Sequence, residues 1–143
     1  MCCCGANIVD YRSCFSFILN VNKQGIFYGK NRPNYLNYGG IGWVIGHEIT
    51  HGFDDRGKQF DATGNFKDWW NAETKERAIA KARCIVEQYG NYTATSVNMS
   101  INGINTQGEN IADNGGLMAA YQGYGKLCLC VNISHTTLKI INI

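Results

Sequence analysis

Apolar and polar positions divide the chain into a few distinct stretches. From Ile41 to Phe53 runs an almost uninterrupted apolar segment, Ile-Gly-Trp-Val-Ile-Gly-His-Glu-Ile-Thr-His-Gly-Phe. Ile41, Ile45 and Ile49 fall four apart with Val44 beside them, the spacing of a buried helix face. A buried strand is the rival, because Gly42 and Gly46 each weaken a helix by roughly 1 kcal/mol; the length of the run favours the helix. Asp54-Asp55-Arg56-Gly57 ends that element, and Asp61-Ala62-Thr63-Gly64-Asn65 forms a second polar turn. Asn71 then reads as the N-cap of a helix to about Tyr89. Its Ala78, Ile79, Ala82, Ile85, Val86 and Tyr89 keep the three-four spacing, and Gly90 stands where a C-terminal cap belongs. Asn102-Gly103 between Ile101 and Ile104 predicts a hairpin turn. A last helix is expected from near Glu109 to about Tyr124, with Gly115-Gly116 placed to interrupt it. After Lys126 the run Leu-Cys-Leu-Cys-Val-Asn-Ile turns strand-like. The sum is a mainly α fold with a small β-hairpin.

Composition narrows what such a fold can do. The chain has 143 residues, 45% hydrophobic and 17% charged, enough for one ordinary domain. Thirteen basic and 11 acidic residues are spread along it, for a net charge of +2. That balance argues against a nucleic-acid-binding arm, so no nucleic-acid partner is expected. No apolar run approaches the roughly 20 residues that span a bilayer. The start lacks a basic region, and Phe15-Ser16-Phe17-Ile18-Leu19 is too short for a signal-peptide core. Neither a signal peptide nor membrane contact is therefore expected from this chain itself. Seventeen glycines against one proline describe tight turns rather than a linker. The seven cysteines are an odd number and form no CxxC pair, which counts against a four-cysteine zinc site. Cys2-Cys3-Cys4 is only a weak lipid-acceptor pattern. The glycosylation triplets at Asn91, Asn98 and Asn132 lean towards a secreted context. Oligomeric state is not legible.

The chemistry concentrates in His47-Glu48-Ile49-Thr50-His51. Histidines at i and i+4 share a helix face, so both imidazoles reach one tetrahedral metal ion. Glu48 lies about 100° around the helix from His47, near enough to act on a water at such a metal without ligating it. The plain alternative is two satisfied core histidines and a buried glutamate. Three ionisable groups in an apolar, glycine-flanked helix are costly unless something organises them, and a divalent metal does so. A third ligand is offered by Gly108-Glu109-Asn110-Ile111-Ala112-Asp113-Asn114-Gly115-Gly116. Glu109 and Asp113 lie four apart at a helix start, so one can ligate while the other orients an imidazole. Taken singly, either is also what a helix N-terminus favours.

The stretch Asn37-Tyr38-Gly39-Gly40 through His47-Glu48-Ile49-Thr50-His51-Gly52-Phe53-Asp54-Asp55, with Gly108–Gly116, resembles the catalytic core of neprilysin-like zinc metallopeptidases. That group includes the endothelin-converting enzymes. Gly64-Asn65, Trp69-Trp70 and Cys84–Tyr89 match in order and spacing as well. The resemblance implies a gluzincin-type zinc-helix core binding one zinc ion through His47, His51 and Glu109. It makes Glu48 the general base and counts Asp113 among the catalytic residues as the acid on His47, with Asp54 the acid on His51. The implied reaction is metal-assisted hydrolysis of internal bonds of peptides, in an extracellular or cell-surface setting.

The resemblance covers about residues 26–125, leaving a divergent N-terminal segment, 1–25, and a divergent tail, 126–143. The family's Asn-Ala-aromatic substrate segment is not matched by Ala6-Asn7-Ile8. Its downstream oxyanion-stabilising histidine and carbonyl-binding arginine have no counterpart, and His135 lies too near Glu109 to be one. Cys84 resembles a cysteine whose partner lies near the family's C-terminus. The expectation is a zinc metalloendopeptidase present as a partial catalytic domain. Its rival is a truncated, inactive zinc-binding fragment, and a closed four-ligand structural site stands third.

Overall fold

Glycine decides where this chain can come close to itself. A computed structural model describes residues 25–130. The cysteines at 2–4 and 14, the Phe15–Leu19 patch, the Asn132 triplet, His135 and the segment from Val131 onward lie outside the described residues.

The described chain is mostly helical. A short helix α1 (Asn34–Asn37) runs into a π-helical turn (Tyr38–Gly42), then α2 (Trp43–Thr50) and a 3-10 turn (His51–Phe53). A second 3-10 turn (Gly57–Gln59) precedes the long helices α3 (Ala72–Gly90) and α4 (Gln107–Cys130). Between those two helices, β1 (Thr93–Ala94) and β2 (Met99–Ser100) form an antiparallel hairpin. Ahead of α1, Asn37 pins the loop by a pair of hydrogen bonds to the Gly29 backbone, both 3.0 Å. Ile41 donates to the Phe27 carbonyl, and Phe27 and Trp43 pack on buried Ile41 and Val44.

The main packing is α2 across α4. A Cβ on Gly46 would lie 2.9 Å from the Gly116 Cα, and one on Gly116 would lie 2.6 Å from the His47 nitrogen. The two backbones therefore touch where any side chain would part them. One residue along, a Cβ on Gly115 would meet Thr50 Oγ1 and Cγ2, both at 2.5 Å. Ala112 and Ala120 of α4 are buried, as is Cys128.

Several expectations change. Gly115-Gly116 does not interrupt the last helix, which is continuous to Cys130: the packing against α2 holds those residues helical. Leu127–Cys130 is therefore helical rather than strand-like. Ile45 and Ile49 are exposed, because the buried side of α2 is the one carrying Val44 and Gly46. Asn102-Gly103 is not the hairpin turn. The hairpin closes upstream, through a turn in which Val97 donates to the Ala94 carbonyl and Asn98 takes φ 49°. Asn102 instead folds the entry to α4, its side chain accepting from Ile104 and Asn105 N–H. The Asn71 cap is as expected, Oδ1 accepting from Thr74 N–H at 2.7 Å.

Gly115→Ala should destabilise the chain by roughly 1–3 kcal/mol, the cost of overpacking. Adding Thr50→Ala should recover much of that loss, since Oγ1 and Cγ2 are the atoms in the way. Urea unfolding of the single and double variants measures both effects, and strict additivity would show that the two residues do not touch.

Candidate metal centre

His47 on α2 and His51 at the start of the 3-10 turn that continues it stand one turn apart, and the crossing brings the start of α4 over them. His47 Nε2 lies 2.9 Å from His51 Nε2, and Glu109 Oε2 lies 3.5 Å from the first and 3.6 Å from the second. Bonds of about 2.0–2.2 Å to one tetrahedral zinc need ligand atoms roughly 3.3 Å apart, so the triangle has the right size. Among the described residues these three form the one cluster of metal-ligand type.

Behind the triangle each imidazole is held by an acid. His47 Nδ1 stands 2.8 Å from Asp113 Oδ1, and His51 Nδ1 stands 2.7 Å from Asp54 Oδ2. A carboxylate at Nδ1 assigns the proton there and leaves both Nε2 atoms as acceptors. Two nitrogen lone pairs and a carboxylate oxygen facing one another at these distances repel until a cation sits among them. The donor set therefore fits a metal ion.

The supports are themselves tied down. Asp54 Oδ1 accepts from Arg56 N–H at 2.8 Å and Gly57 N–H at 2.7 Å, made possible by the turn after Phe53. Trp43 Nε1 donates to the Asp113 carbonyl at 3.2 Å, from the position one turn before His47. Gly108 lets the first turn of α4 lie against the loop, since a Cβ there would be 2.8 Å from Asp55 Oδ1. Neither Trp43 nor Gly108 stands out by chemistry in the sequence, though both lie in the stretches that carry the resemblance and Trp43 stands four residues before His47. Glu48 is half-buried on α2 between the histidines, and its charge is among those acting on His51. The Asp54 side chain is 8% exposed, against 45% for Asp113 and 65% for Glu109, so the site is closed behind His51 and open on the side of α4.

Charge follows the same geometry. The hydrogen bond that His51 donates to Asp54 raises His51 above its ordinary 6.5; burial opposes this, while Glu109, Asp54 and Glu48 reinforce it by charge. Burial alone would raise the Asp54 carboxyl, but the His51 bond and the Gly57 and Arg56 N–H groups outweigh it and hold it below 3.8.

Residues 15–140 match the profile of Peptidase family M13. The chain is 60% identical over 101 residues to Neprilysin-2 of Drosophila melanogaster, covering 71% of this chain and 13% of that protein. It is 54% identical over 101 residues to endothelin-converting enzyme 1 of Bos taurus, again 71% and 13%. Among solved structures, the Mycobacterium tuberculosis zinc metalloprotease in complex with an inhibitor aligns with TM-score 0.70 and 40% identity. That alignment covers 78% of this chain and 17% of the other. The chain thus spans a small part of the length of these relatives.

A metal needs neutral Nε2 atoms, and a raised His51 keeps its second proton to higher pH. Zinc affinity should therefore rise with pH through the raised His51 range, with protons released on binding. Calorimetric zinc titrations in buffers of different ionisation enthalpy at several pH values measure this. In the metal-free protein the Asp54–His51 pair should stabilise between the two shifted values. Its contribution fades as pH falls through the lowered Asp54 range, and again as pH rises through the raised His51 range.

Proposed function

The chain belongs to Peptidase family M13, and we propose that it is the zinc-binding portion of a metalloendopeptidase that hydrolyses internal bonds of peptides. His47, His51 and Glu109 would hold one zinc ion. When bound, zinc supplies a Lewis acid for a carbonyl oxygen and for water. Glu48 is the general base: its carboxylate takes a proton from the attacking water and returns it to the departing amine. Asp113 and Asp54 keep the Nδ1 protons in place, so that both Nε2 lone pairs stay aimed at one point. The observation that carries this reading is the triangle of two Nε2 atoms and one carboxylate oxygen, with an acid behind each imidazole.

Peptides are the substrate class and an extracellular or cell-surface setting the place, in keeping with relatives such as the human membrane metallo-endopeptidase-like 1, 52% identical over 104 residues. Among the described residues no helix is long and apolar enough to cross a membrane. A second reading, a zinc-binding segment without turnover of its own, is favoured by one observation. Ile45, Ile49 and Phe53 on one side of the zinc helix, and Leu117, Met118 and Tyr121 on α4, are exposed. Such faces call for packing that the described residues do not supply.

Glu48→Gln should leave zinc content near one per chain and lower peptide cleavage by about 10²–10⁴-fold. Equal rates for parent and variant would overturn the assignment of the base. Chelator-sensitive cleavage of a quenched peptide by the 143-residue chain alone decides between the two readings.

A further inference from the structure

The hairpin between α3 and α4 carries chemistry that the metal site does not use. Two acceptor triplets for N-linked sugar overlap it, Asn91-Tyr92-Thr93 running into β1 and Asn98-Met99-Ser100 spanning the turn and β2. The strand register sets Thr93 directly opposite Ser100, so the hydroxyl residues of both triplets sit on the same hairpin pair. Asn98 occupies the turn with φ 49°, a left-handed conformation that asparagine tolerates better than most residues. That position turns the backbone back into β2 and leaves Asn98 exposed, as are Ser100 and the whole turn from Thr95. Val97 and Met99, on either side of it, are 62% and 65% exposed, an apolar pair on an otherwise polar loop.

We propose that Asn98 is an N-glycosylation site, and that the attached sugar covers Val97 and Met99. The donor class is an oligosaccharide carried on a lipid diphosphate. The Asn98 carboxamide nitrogen forms a bond to the anomeric carbon, the anomeric carbon–oxygen bond breaks, and the lipid diphosphate leaves with the electron pair while the amide gives up one proton. A glycan at this turn marks the hairpin as a solvent-facing edge of the peptidase. The exposed faces of α2 and α4 named above carry no such triplet and remain available for protein packing. The proposal rests on the extracellular or cell-surface setting only for access to the transfer machinery, and the test supplies that access.

The full chain is expressed in insect cells behind a cleavable leader, and cleavage of the leader confirms entry into the secretory lumen. Enzymatic deglycosylation in heavy-oxygen water converts each modified asparagine to a labelled aspartate that peptide mass spectrometry locates. Label at Asn98, with or without label at Asn91, is the expected result. Ser100→Ala keeps the Asn98 turn and should abolish the Asn98 label alone, with the mobility gain of one glycan lost. A chain whose leader is cleaved but whose Asn98 is unlabelled overturns the proposal, whether Asn91 is labelled or not. Since routing is imposed, that failure speaks of Asn98 and leaves the proposed setting of the peptidase to be judged separately.

Discussion

The distance between two helix backbones governs the rest of this structure. Glu109 reaches the histidines only because α4 crosses α2 at the contact of Gly46 with Gly116, where neither helix carries a side chain. A helix pair separated by ordinary side chains runs 8–10 Å apart. At such a spacing a carboxylate on α4 would still point towards α2 but would lose its hold on the geometry of both imidazoles. Asp113, one turn before Gly116, depends on the same approach for its bond to His47. The glycines that cost α2 and α4 helix propensity are therefore the ones that place their chemistry.

A second layer of order comes from carboxylates used as fixed acceptors. Asp54 sits on a turn that donates two backbone N–H groups to it, which join the His51 bond in favouring its charged form. Asp113 is fixed from its backbone side by the Trp43 indole. Both histidines are thus held at Nδ1 by groups that are themselves held, which turns two rotatable rings into preoriented donors.

How much of this the residues announced depends on whether the signal is local. His47 and His51 stand four apart in one helical run with Glu48 about 100° round from His47, so their relative directions follow from the helical repeat alone. The residues offer Glu109 and Asp113 alike as partners for them, and the choice of Glu109 as ligand rests on the resemblance, because nothing in a 62-residue separation encodes proximity. The isoleucine stripe holds at Ile41, which is buried, but misleads at Ile45 and Ile49, because spacing does not report that α4 covers the neighbouring side with Gly46. Gly115-Gly116 misled for a related reason, since propensity counts backbone freedom and leaves out a partner that only glycine can touch. The Asn102-Gly103 pair has the composition of a hairpin turn, yet its side chain finds the amides of Ile104 and Asn105, and the tight turn forms at Asn98 instead.

The separation of the ligands along the chain has a topological consequence. His47 and Glu109 bracket the second 3-10 turn, all of α3 and the hairpin, so an ion shared by them closes that stretch into a loop. A covalent tie across a loop of about 60 residues removes unfolded-chain entropy equivalent to roughly 4 kcal/mol. A coordinate tie acts in the same sense while it lasts. An ion bound there would then double as the knot that ties the stretch holding α3 and the hairpin, and stripping it would loosen residues that never touch it.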